Sequence, residues 1–111
     1  MMNQDQRVAG STTIAPEVIE TIIRMTAMET PGINRVPVFN SKPPVRISVD
    51  AQTVNADVYV ILDYNQNILD IGKRLQENFS RAISETIGMK PGLLNVHIVD
   101  FEPPTMTDNG F

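Results

Sequence analysis

The stretch Val54-Asn55-Ala56-Asp57-Val58-Tyr59-Val60-Ile61-Leu62 decides the fold. Apolar groups at every second position put Val54, Ala56, Val58, Val60 and Leu62 on one face of a strand. Just upstream, Val45, Ile47 and Val49 carry the same spacing, so the two segments read as a hairpin turning near Gln52 and Thr53. Setting Ala51 opposite Val54 pairs Val49 with Ala56, Ile47 with Val58 and Val45 with Val60. That register gathers the apolar groups on one face and brings Arg46 to Tyr59 on the other. The turn lacks the Asn-Gly or Asp-Gly pair that favours tight hairpins.

Downstream, the period changes. Ile71, Leu75, Phe79, Ala82 and Ile83 recur at helical spacing within Ile68 to Ile87, and Asn67 with Asp70 forms a capping pair at its start. Asp70 with Arg74 and Glu77 with Arg81 are i,i+4 ion pairs worth about 0.2–0.5 kcal/mol each. Burying one large apolar side chain contributes roughly 1.5–3 kcal/mol, so the Ile71, Leu75, Phe79 stripe governs attachment to the sheet. Gly88 supplies a left-handed cap, and Pro91 with Gly92 leads into a strand from Leu94 to Phe101. Leu94, Val96 and Ile98 give that strand its core face.

Upstream, a helix is expected from about Pro16 to Glu29, with Thr13 as N-cap and Pro16 in the first turn, where a missing N–H costs nothing. Val18, Ile22 and Met25 form one stripe and Ile19 and Ile23 another, so the apolar face is wide enough to be covered from two directions. Pro31 and Gly32 end the helix. Ile33 to Phe39 is extended, with Pro37 confining it to a sheet edge or a loop, and Asn40 to Pro44 is loop. A short strand is expected around Arg7 to Ala9.

The chain therefore divides into an N-terminal segment (1–12), one domain (13–102) and a flexible tail (103–111). The fold class is α/β in the α+β sense: a small mixed or antiparallel sheet with two helices on one face, in the order β-α-β-β-β-α-β.

Composition narrows the function. At 111 residues, 41% hydrophobic and 20% charged, the chain is an ordinary soluble globular domain. Zero cysteines exclude disulfides, thiolate metal sites and thiol nucleophiles. A polar start and the lack of a long apolar run predict a cytoplasmic protein with no direct membrane insertion. A net charge of −4 disfavours nucleic acid, whose binding requires clustered Lys and Arg. A KH-like nucleic-acid module remains the competing reading of a small sheet with helices, but its Gly-x-x-Gly loop is missing; Lys73, Arg74 and Arg81 are the local basic group.

No spacing nominates catalytic, cofactor-binding or metal-ligating residues. His97 is the single histidine, expected on a sheet surface without a serine motif beside it. Asp50, Asp57, Asp63, Asp70 and Asp100 are scattered and reproduce no calcium loop. Gly88 to Gly92 follows a helix instead of opening one, unlike a phosphate loop. A small enzyme using a carboxylate and a hydroxyl from different elements stays as the other alternative. The informative positions lie outside the core: if the long strands share a sheet, Tyr59, Ile61, Val99 and Phe101 fall on the face opposite the helices, as a protein-interaction patch.

These residues resemble the bacterial alkaline-shock and Gls-type envelope-stress protein family. Ile14-Ala15-Pro16-Glu17-Val18 and Ala27-Met28-Glu29-Thr30-Pro31-Gly32-Ile33 are similar to the family's first helix and its exit. Val58-Tyr59-Val60, Ile68, Gln76-Glu77-Asn78 and Asn95-Val96-His97-Ile98 follow its strand, helix and terminal strand in order. Ile87-Gly88 departs from a familiar Thr-Gly, and Arg35 to Pro44 is short and Pro-rich where Gly and Lys are familiar. The resemblance implies a non-enzymatic cytoplasmic protein of envelope homeostasis that forms homo-oligomers or binds a membrane-anchored relative, with no cofactor.

Overall fold

The computed structural model of the chain describes residues 9–104. Strand β3 (Thr53–Asp63) is the spine of a mixed sheet. Along one edge it pairs in parallel with β4 (Lys90–Glu102), from Thr53 opposite Lys90 to Asp63 opposite Glu102. The other edge is shared by two antiparallel strands: β2 (Val45–Asp50) lies beside Thr53 to Val58, and β1 (Ile33–Arg35) beside Ile61 and Leu62. Parallel pairing of β3 with β4 demands a crossover, which helix α2 (Ile68–Arg81) supplies.

The expected alternation is realised on β3, where Val54, Ala56, Val58, Val60 and Leu62 are all buried. Ile71, Leu75, Phe79, Ile83 and Ile87 close over them from one side, and Ile19, Ile23 and Ala27 of helix α1 (Pro16–Glu29) from beside it. Both helices therefore cover the same face. The Val18, Ile22, Met25 stripe of α1 divides: Ile22 is half-buried against the core, while Val18 and Met25, with Met28 beyond them, are exposed. Thr30 is buried yet satisfied: its hydroxyl donates to Thr26 O (2.9 Å) and accepts from Asn78 Nδ2 (3.0 Å), tying α1 to α2.

The hairpin register differs from expectation by two residues, with Val49 opposite Val54, Ile47 opposite Ala56 and Val45 opposite Val58. The turn is the pair Ala51-Gln52, whose φ values of 50° and 70° place both in the left-handed region. That geometry matches the twist of the flanking strands, at a cost of about 1 kcal/mol per non-glycine residue. A shift of two preserves the period, so the core face is the expected one while Arg46 meets Asp57 instead of Tyr59.

Other boundaries move for local reasons. The N-cap of α1 is Ala15, with no side-chain cap, since Pro16 itself opens the helix and leaves Thr13 upstream. Gly32 takes φ 97° after the helix ends, as its position requires. Strand β1 stops at Arg35, short of Phe39. Asn67 caps α2 by accepting from Asp70 N at 3.0 Å. The α-helix ends at Arg81 and continues as a π-helical turn, Ala82–Ile87. There the Ser84 hydroxyl donates to Ser80 O (3.0 Å) and Arg81 O (3.3 Å), engaging carbonyls of the helical ladder, and Gly88 N–H closes the wide turn on Ile83 O. Strand β4 begins four residues before the expected Leu94. Of the strand expected at Arg7 to Ala9, Arg7 and Val8 lie outside the described residues and Ala9 sits in a bend; residues 105–111 of the expected tail also lie outside them.

Candidate functional site

The face of the sheet away from the helices carries side chains from β3 and β4 together with the loop of residues 36–44. Register explains its centre: Tyr59 and His97 are directly paired across β3 and β4. Their rings stack with centroids 4.4 Å apart and planes 16° from parallel. Phe39, brought over by the loop behind buried Pro37, sets its edge against Tyr59 at 5.5 Å and 84°. Lys42 Nζ from the same loop lies 4.3 Å from the Tyr59 centroid and 5.4 Å from that of Phe39, within cation–π range of both.

A polar fringe borders the rings. His97 Nε2 donates to Asp57 Oδ1 at 2.9 Å, and Asn95 Nδ2 donates to the same oxygen at 3.2 Å. The His97 bond is the chief reason the Asp57 carboxyl is held below its ordinary value; partial desolvation opposes it, while the Asn95 bond and the charges of His97 and Arg46 reinforce it. Farther along, Arg35 forks onto Glu102, with Nη2 to Oε2 at 2.9 Å and Nε to Oε1 at 3.2 Å. This bond raises the guanidinium and lowers the carboxyl.

The four residues expected as one patch do not stay together. Tyr59 is half-buried in the ring stack, and Val99 is 45% exposed. Ile61 is on the outer face by alternation but only 4% exposed, flanked by Arg35 and Asp100. Phe101 is a correction: it sits opposite Leu62 and packs against the core. The pairing shifts between Val60 and Ile61, so Val99 is an extra residue that reverses the facing of everything after it.

The contributions of Phe39, Lys42 and Asp57 were missed. An aromatic inside a Pro-rich loop is the signal for Phe39; Lys42 depends on where the loop lands, and Asp57 on the pairing of β3 with β4. Among the described residues no group of three or more His, Cys, Asp or Glu side chains could hold a metal ion. Ordered rings with a charged fringe are chemically suited to recognition.

Comparison with known proteins agrees with the fold and family. A 20%-identical single-substitution form of the MamM CTD superposes with a TM-score of 0.54 over 78% of this chain and 96% of that one. A nickel form of the same domain gives 0.54 and 20% identity over 78% and 99%. At this identity the likeness is one of fold. The uncharacterized protein YqhY of Bacillus subtilis (strain 168) is 24% identical over 113 residues, 91% of this chain and 84% of that protein. The profile of the alkaline shock protein (Asp-23) family, described by its cell envelope-related function, matches residues 38–103, which span the loop's Phe39 and Lys42, the hairpin, α2 and β4. The chain belongs to this alkaline shock protein family.

Proposed function

We propose that the chain is a non-enzymatic protein-interaction domain working on the cytoplasmic side of the cell envelope. It self-associates, or binds a membrane-anchored relative, through the outer sheet face around Tyr59 and Val99. The observation that supports this reading is the Phe39–Tyr59–His97 ring array. Rings already ordered by mutual packing lose little conformational freedom when a partner covers them, which favours them as anchors. Membrane proximity through a partner fits a chain in which, among the described residues, no helix is long and apolar enough to cross a membrane.

The test introduces charge where the fold tolerates it. Val99→Glu should leave the circular dichroism and melting curve unchanged while abolishing both concentration-dependent sedimentation and recovery with the membrane fraction. A folded Val99→Glu protein that behaves as wild type in both assays would refute the outer-face assignment.

A further inference from the structure

Adjoining the ring array, and sharing Phe39 and Lys42 with it, a groove of about 540 Å³ lies between α1 and the loop of residues 36–44. Its size falls within the range of ordinary ligand clefts. Two charged side chains line it, Arg24 from the helix and Lys42 from the loop, and both are cationic. Among the described residues the close contacts between basic side chains and carboxylates are Arg35 with Glu102 and His97 with Asp57, so neither groove cation is in one. An unopposed cationic lining on a chain of net charge −4 selects for an acidic ligand.

The rest of the lining mixes polar Asn40 and Ser41 with apolar residues and prolines. Val38 is 88% exposed at the rim, next to the buried ring of Pro37, and Pro43 and Pro44 close the loop. Prolines restrict the loop before any ligand arrives, which reduces the ordering cost of binding.

We propose that this groove binds an acidic, apolar-containing peptide segment of a partner protein, its carboxylates on Arg24 and Lys42 and its apolar side chains on Val38 and the prolines. An anionic lipid surface fits less well: polybasic lipid sites gather about 4–8 cations, whereas two line this groove. The proposal rests on the interaction reading only in that the ligand is a protein segment; the groove adjoins the outer ring face and shares Phe39 and Lys42 with it, while Arg24 and Val38 belong to the groove alone.

Fluorescence anisotropy of a short labelled peptide alternating aspartate and leucine tests it on the full chain. Saturable binding should weaken about tenfold with Arg24→Gln plus Lys42→Gln, a loss the size of a few exposed charge contacts. It should weaken similarly when asparagine replaces aspartate in the peptide, and Lys73→Gln, outside the groove, should change nothing. Val99→Glu should also leave peptide binding intact, so failure of the outer-face reading is read separately. The proposal is overturned by lack of saturable binding, by binding indifferent to Arg24 and Lys42, or by the chain preferring phosphatidylserine-containing vesicles over phosphatidylcholine vesicles with the same dependence on those cations.

Discussion

The two faces of β3 are built from the same run of residues by different rules. On the inner face, Val54, Val58, Val60 and Leu62 have no exposed surface, and local alternation alone dictates where they point. On the outer face, Asp57 and Tyr59 gain their roles from partners far away in sequence: Asn95 and His97 on β4, Phe39 and Lys42 from the loop. The inner face stabilises by burial, which is large and indifferent to partner identity. The outer face stabilises little and specifies a surface. Substitutions should therefore separate sharply by face.

The largest effect is expected under the inner face. Phe79 is fully buried against it, and Phe79→Ala should lower unfolding free energy by about 3–5 kcal/mol in urea titrations. Tyr59→Ala, half-buried on the other side, should cost about 1 kcal/mol, from aromatic contact and partial burial. Equal losses would erase the distinction between the faces.

Phe101 sharpens the comparison because it changes sides. As a partly buried core residue it should lose about 2 kcal/mol on Phe101→Ala, measured the same way, whereas Val99→Ala should fall within about 0.5 kcal/mol of wild type. Unbroken alternation puts Phe101 outward, yet the sequence holds a signal for the slip. Leu94, Val96 and Ile98 alternate inward, and an unbroken period would aim Asp100 at the core and Phe101 away from it. One extra residue after Ile98 repairs both at once, which is the mark of a bulge.

The hairpin offers a smaller effect of opposite sign. Replacing Ala51-Gln52 by Asn-Gly should stabilise the protein by about 1 kcal/mol, since both positions have positive φ and the new pair prefers that geometry. A destabilised variant would contradict the two-residue turn. Here the sequence was opaque: Ala-Gln carries no turn signature, so the strands were recognisable and their register was not. The helices were legible because apolar spacing is local, as is the Asn67 cap of α2, while the Thr13 cap expected for α1 was not realised. The loop over Tyr59 was not, because packing after a Pro-rich segment is a tertiary choice.

Acid should produce the smallest effect. The Asp57 and Glu102 carboxyls lie below their ordinary values of 3.8 and 4.5, held down chiefly by hydrogen bonds from His97 and Arg35. Groups depressed by folding add stability above their unfolded values and lose it as pH falls through the folded ones. Stability should thus decline from roughly pH 5 toward pH 2, and Asp57→Asn should flatten part of the slope. Both groups are partly exposed, so the contribution is screened and modest.

The central claim is that partners meet the outer face of the sheet. Site-specific photo-cross-linking in cells tests it most directly, with p-benzoylphenylalanine replacing Tyr59 or Val99 in turn and Met25 on the exposed stripe of α1 as comparison. The account expects adducts, to a second copy or to an envelope-anchored protein, from the Tyr59 and Val99 positions and none to either partner from Met25. Adducts from Met25 alone would move the interface to the helix face and contradict it.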